Sequence, residues 1–262
     1  SFPKAIIFGT SDNYKEFFNY ALEIASLKRV KTSVSAIEGD AIAKKELSAR
    51  LTAYQNLLFN SLFINFENAQ WSFKNKIIDT KNLSSIASDV SDDVYNLTPK
   101  VQNELVVREK VSTMAVAASH SLIFRILNNA SEKNLGMEGY PAEYGIYLSI
   151  IKANKLHKLS KGEFKFVEPS KSNKELSALH YEFNKHIKSK EEPTSLNELY
   201  DLFSKQPYGI KKGLIPILLA SFYMTNEGSF ALYNTDEQGK EFLITDYNKR
   251  ICERFISTPE TL

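Results

Sequence analysis

The chain has 262 residues, of which 43% are hydrophobic and 12% aromatic, enough for buried cores and too much for a disordered chain. Its formal net charge of +2 gives no global field toward nucleic acid, so any nucleic-acid surface must be a local patch. One cysteine excludes an internal disulfide framework and a cysteine-rich zinc site. No apolar run reaches the roughly 18 residues that a membrane span needs, so we expect no membrane partner and a cytoplasmic location.

Residues 1–79 are predicted to form a helical hairpin with small β elements. A strand-like run over residues 4–8 is expected to need a partner strand from outside the chain. One helix is predicted over about 11–30, and a longer one begins near 39–40. The longer helix carries apolar residues in a pattern typical of a coiled-coil seam, although an ordinary bundle helix fits equally well. These seam residues are Leu47, Leu51, Tyr54, Leu58 and Leu62.

A small β-hairpin is predicted where 70–73 and 76–79 flank a tight turn. Trp71, the only tryptophan, lies in its first strand. We expect it to anchor a core rather than to stack on a base.

Residues 80–170 are predicted to form a first winged-helix-like unit, and residues 171–262 a linker helix followed by a second one. Both follow the order helix, turn, helix, strand or hairpin. The fold class is therefore mainly α with small β-hairpins. The expected helices lie at 83–95, 111–128, 140–151, 173–190, 195–205, 214–223 and 246–255, and the expected strands at 161–167, 230–233 and 241–245.

Two short matches indicate that the second unit is a degenerate copy of the first. Tyr-Gly-Ile occurs at 144–146 and 208–210, and Gly-x-Phe at 162–164 and 228–230. Two unrelated helix–strand joints are the alternative interpretation.

Known catalytic motifs do not occur in the sequence. There is no phosphate-binding Gly-x-x-x-x-Gly-Lys-Ser/Thr, no Gly-x-Gly-x-x-Gly and no Gly-x-Ser-x-Gly. The four histidines do not fall at metal-ligand spacings. His120 is predicted to be a hydrogen-bonded core or rim histidine, and Cys252 an inert buried thiol. We therefore expect no catalysis, cofactor or metal in this chain.

One local charge feature stands out in the first unit. A basic helix end followed by a basic strand is what contact with nucleic-acid phosphates requires. No set of Arg, Asn or Gln suggests base reading, and an ordinary solvated surface is the alternative. The second unit has an apolar helix and an acidic hairpin, which favour protein contact. The predicted nucleic-acid-binding residues are Lys152, Lys155, His157, Lys158, Lys161 and Lys165.

Several segments carry a resemblance to a known family, and they are Asp93–Tyr95, Thr98–Pro99, Asn103–Leu105, Arg108, Gly136–Pro141, Ile146–Ser149, Gln206–Ala220 and Ala231–Tyr233. Together they resemble a region of large bacterial P-loop ATPases associated with anti-phage defence, of the BREX-like or restriction-associated kind. The resemblance extends over roughly residues 15 to 256. It implies that an ATPase domain lies elsewhere in a longer protein, and that other defence-system subunits are partners. It assigns no residue roles, and Asn103, Glu104 and Arg108 either function directly or brace a helix start.

Three functions are therefore open. The first is a non-catalytic nucleic-acid-binding or regulatory module, with double-stranded DNA as the expected partner. The second is an interaction scaffold that docks partner subunits and does not bind DNA. The third is an enzyme with an unfamiliar site, which a pocket of converging titratable residues would favour.

Overall fold

The computed structural model is mainly helical, and its described part contains small antiparallel sheets of two or three strands. None of the helices in that part combines the length and the apolar character that crossing a bilayer requires. The chain divides into two compact units, Pro3–Asp93 and Val94–Leu262. The finer division at 79–80 and 170–171 stays a prediction. The structure describes residues 6–11, 14–73, 75–78, 83–108, 110–236 and 238–262.

The first unit combines two long helices with a three-stranded sheet, in which the strand order is β1 (Phe8–Thr10), β2 (Gln70–Phe73) and β3 (Lys76–Ile78). β1 pairs antiparallel with β2, so the partner strand that we expected outside the chain lies within it. Residues 4, 5 and 79 of the predicted strands lie outside the described residues. The elements are β1 (Phe8–Thr10), α1 (Tyr14–Ser33), α2 (Ala36–Gly39), α3 (Ala41–Glu67), β2 (Gln70–Phe73), β3 (Lys76–Ile78) and α4 (Leu83–Val94).

Helices α1 and α3 pack side by side in opposite directions. Ser11, just before α1, donates a hydrogen bond of 2.5 Å to Asn65 near the end of α3. Further along, the Tyr20 and Tyr54 rings lie 6.3 Å apart. The short helix α2 lies in the link between them.

The seam of α3 differs from the prediction at one position. Leu47 and Ser61 are buried, and Leu51, Tyr54 and Leu58 are partly buried. Leu62 is 48% exposed, because the alternation of four and three continues from residue 58 to residue 61.

The second unit has one continuous cluster of buried residues that runs from Val106 to Leu262, and the helix Ile215–Thr225 is among its most buried parts. A 3₁₀ turn at Lys133–Gly136 and another at Pro259–Thr261 complete it. Its elements are α5 (Glu104–Val107), α6 (Thr113–Asn128), α7 (Ala142–Ile146) continuing into a π-helix (Tyr147–Lys152), β4 (His157–Ser160), β5 (Glu163–Phe166), α8 (Lys174–Lys188), α9 (Leu196–Ser204), α10 (Ile215–Thr225), β6 (Tyr233–Thr235), β7 (Glu241–Leu243) and α11 (Lys249–Ser257).

The strands of this unit differ from the prediction. The segment 161–167 is not one strand, because Lys161 and Gly162 form the turn of a hairpin whose first strand, β4, was not predicted. β6 begins at Tyr233 rather than at residue 230, and it pairs with β7.

The two Tyr-Gly-Ile matches are not structurally equivalent. Gly145 lies inside α7, whereas Gly209 lies in the turn before α10 with a φ of +57°. A Cβ at Gly209 would come within 2.5 Å of the Tyr95 ring, so this glycine allows a close approach. Likewise Gly162 lies in a hairpin turn, whereas Gly228 follows the end of α10. The structure favours unrelated joints over a repeat.

Candidate nucleic-acid interface

The β4–β5 hairpin is set by its two-residue turn. Lys161 has a φ of +55° and Gly162 a φ of +92°, as in the type I′ turn, whose twist matches that of the flanking strands. The turn fixes the register, which pairs His157 with Phe166 and Lys158 with Lys165.

Alternation along the strands then separates the side chains into two faces. His157 and Phe166 point into the core, whereas Lys158 and Lys165 lie opposite each other on the exposed face. Like charges in directly opposite positions destabilise a sheet. Within the described residues, neither lysine has an ion-pair partner.

The helix before the hairpin ends in a π-helix that brings two further lysines to the surface. The Ala153 N–H donates to the Leu148 carbonyl, five residues back, over 3.0 Å. Lys152 ends this segment, and Lys155 turns the chain toward β4 with a φ of +55°. Both side chains are exposed.

Sequence reasoning missed Lys100, which lines a polar recess of about 340 Å³ together with Lys155. Glu175 lines the same recess, so its charge is mixed. Nothing in the sequence indicates that Lys100 and Lys155, which are 55 positions apart, lie close together. Locally the positive charge is nonetheless dense, with seven lysines and two glutamates between residues 152 and 174.

His157 does not belong to this surface, contrary to the prediction. Its side chain is 4% exposed, and its Nε2–H donates to the Ala130 carbonyl at 2.7 Å. This leaves Nδ1 to accept from the Tyr147 hydroxyl at 3.0 Å. Burial lowers the pKa of His157, which keeps the ring neutral. The remaining residues, Lys152, Lys155, Lys158, Lys161 and Lys165, are called the basic face below.

The helix before the basic face presents little that could read a base. The residues Ala142 and Gly145 are exposed, whereas Ser149 is partly buried and accepts a 2.7 Å hydrogen bond from Asn103. Asn103 also caps α5, and Glu104 pairs with Arg108 at 2.9 Å. Asn103 therefore caps a helix start, whereas Glu104 and Arg108 form an exposed ion pair along the same helix.

The β6–β7 hairpin offers no comparable surface. Most residues of α10 are buried, including Ile217 and Phe222. In the loop between β6 and β7, the Asp236 carboxylate accepts from the backbone N–H groups of Gln238 and Lys240, at 2.9 Å each. Its charge is used to close the loop.

A pocket of about 470 Å³ does bring titratable residues together. Arg125 and Glu143 form an ion pair of 3.1 Å in its wall. Cys252 is buried, which raises the pKa of its thiol to about 12 and leaves it protonated at neutral pH. The Nε2 atom of His120 has no hydrogen-bond partner among the described residues, whereas a hydrogen-bonded ring was predicted. Burial lowers its pKa, against the opposing charge of Glu253.

No protein-family model matches the chain, no curated protein matches it, and no solved structure matches it. The resemblance to defence ATPases therefore stays a hypothesis.

Proposed function

We propose that this chain is a non-catalytic nucleic-acid-binding module of a larger bacterial defence ATPase, in which the basic face contacts phosphates of double-stranded DNA. The observation that carries the proposal is the exposed pair Lys158 and Lys165, placed opposite each other without a described counter-charge. Such a pair costs stability in the free protein. A polyanion removes this cost by supplying the missing negative charge.

Two further lysines of the basic face also sit where the fold does not favour them. Lys155 and Lys161 have left-handed backbone conformations, which Gly, Asn and Asp adopt more easily. Lysine at an exposed turn of this kind gains nothing from packing. In this proposal, the lysine is present at such a position because its charge contacts the ligand.

In this proposal the α6, α7 and β4–β5 elements act as a winged helix with a short wing. The preceding helix exposes no arginine, asparagine or glutamine toward a groove. Phosphate contacts position a protein without reading sequence. We therefore expect affinity for duplex DNA with little sequence preference.

The test is binding of a fluorescent duplex at about 50 mM and 200 mM salt. We expect dissociation constants of roughly 1 to 100 μM at the lower salt, weakening at the higher salt. A variant with Lys155, Lys158, Lys161 and Lys165 changed to Glu is expected to lose binding.

A matched variant separates a specific face from simple net charge. It changes four exposed lysines of the helical hairpin to Glu, so that the total charge is the same in both variants. Equal loss of binding in both variants, or no binding by the unchanged chain at low salt, would contradict the proposal. The control lysines are Lys28, Lys31, Lys44 and Lys45.

A second candidate function, an interaction scaffold that docks partner subunits, is favoured by the first unit. Two apolar stripes at helical spacing are between 47% and 69% exposed on α1 and α3. Exposed apolar patches of this kind mark protein interfaces. The stripes consist of Tyr14, Phe18 and Leu22 on α1, and Phe59, Phe63 and Phe66 on α3.

The two functions predict different results for two sets of substitutions. Changing Phe18, Phe59 and Phe63 to Ser should abolish capture of purified partner subunits and leave duplex binding unchanged. If the scaffold function is the right one, the four-lysine variant captures partners as well as the unchanged chain does, and neither binds DNA.

A further inference from the structure

The second unit contains a cavity of about 350 Å³ between α8, α9, α10 and the segment leading into β6. Its volume is within the range of small-molecule sites, and most of its wall is apolar. Five aromatic side chains from separate parts of the unit contribute to that wall. They are Phe183, Tyr223, Phe230, Tyr233 and Phe255.

The polar groups of this cavity are negatively charged or neutral. Glu192, Glu241 and Glu260 come from three separate segments and line the same cavity. Among the described residues that line it there is no Lys, Arg or His. Thr194 also lines it, and its shielded Oγ1 has no hydrogen-bond partner in the described part of the chain.

We propose that this cavity binds a small organic cation that carries an alkylated ammonium group. Aromatic rings attract such a group through their negative faces, and the methyl groups fill apolar space. The three carboxylates select for positive charge and against anions. The Lys188 Nζ lies 5.9 Å from the centroid of Phe230, so this ring already has a cation partner and the other four rings are the ones available to a ligand.

Neutral apolar ligands fit the observations less well. They would fill the space but would gain nothing from the three carboxylates, which belong to exposed residues and favour a cation over a neutral group. The inference does not depend on DNA binding, since none of the five lysines of the basic face lines this cavity.

The test uses choline and its uncharged isostere 3,3-dimethylbutan-1-ol, with binding followed by ligand-observed NMR on the full chain. The two probes have the same shape and differ in charge. We expect choline to bind with a dissociation constant of about 1 mM and the alcohol to bind at least about tenfold more weakly. Equal binding of the two, or no saturation by choline at about 20 mM, would overturn the proposal.

Variants locate the binding in this cavity. Changing Glu192, Glu241 and Glu260 together to Gln should weaken choline binding roughly tenfold, and Glu163→Gln, an exposed residue of β5 outside the cavity, should not change it. Ala231, an exposed residue of the wall, offers a second variant, Ala231→Trp, which should block the cavity. Unchanged choline binding in the triple variant, with melting temperatures preserved, would place the cation elsewhere and reject the assignment.

Discussion

At the scale of single residues, Lys161 connects stability with the proposed function. Its φ of +55° lies at the first central position of a type I′ turn, where asparagine before glycine is preferred. We predict that Lys161→Asn raises the free energy of unfolding by about 1 kcal/mol. The same change should weaken duplex binding, because one phosphate contact is lost.

The paired control is Lys158→Asn. It removes the same charge from an exposed strand position, where the poor strand propensity of asparagine offsets the relief of repulsion with Lys165. It should therefore weaken binding without a comparable gain in stability. Urea unfolding and duplex titration on both variants would check this. If Lys161→Asn were stabilised and bound DNA as well as the unchanged chain, Lys161 would not contact phosphate.

Buried histidines make the stability of the chain depend on pH. Burial lowers the pKa of His157 and of His180, whose Nε2 lies 2.9 Å from the Thr225 hydroxyl. Below the unfolded value of about 6.5, the unfolded chain takes up protons before the folded one does. The contribution of both residues is therefore complete above pH 6.5 and is lost as the pH falls through their lowered folded values.

We predict that the free energy of unfolding decreases as the pH falls from 6.5 toward 5.5, with a slope of up to about 1.4 kcal/mol per pH unit for each histidine. Urea unfolding across this range measures the slope. His180→Gln should reduce it, since one of the titrating groups is removed. A profile that is flat over this range would contradict the burial-lowered pKa values.

At the scale of elements, helices were predictable and one hairpin was not. The apolar spacing of α3 and α6 gave their positions to within a few residues. β4 was not predicted because two of its four residues, His157 and Lys158, are not of the types that favour strands. Without β4, nothing in the sequence placed His157 on the inner face, so it was grouped with the lysines.

The seam of the helical hairpin can be tested with one substitution at two positions. Leu47→Ala removes a buried side chain and should cost about 2 kcal/mol of unfolding free energy. Leu62→Ala removes an exposed one and should change stability by less than about 0.5 kcal/mol.

Trp71 reports on this unit, since it lies in β2 and its ring packs edge-on against Phe66 at 4.8 Å. Its fluorescence during urea unfolding therefore measures the unit that contains both substitutions. Equal effects of the two variants would show that the packing of α3 does not follow the alternation of four and three.

At the scale of the whole molecule, a net charge of +2 hides a strong asymmetry. The segment from residue 152 to residue 174 carries far more positive than negative charge, so the rest of the chain is net negative. The amino-acid sequence alone shows the excess of positive charge in this segment. It could not reveal the cavity carboxylates Glu192, Glu241 and Glu260, because long-range folding brings them together.

This asymmetry leads to a prediction about salt. If the five lysines of the basic face each neutralise one phosphate, the slope of log K against log salt should be roughly −4 to −5 for duplex DNA. Each single Lys→Gln change in the face should reduce that slope by about 1, whereas Lys28→Gln in α1 should not. Equal reductions would show that the hairpin and the helix end contact the duplex together. A slope near zero, or an equal effect of Lys28→Gln, would mean that binding does not depend on this face.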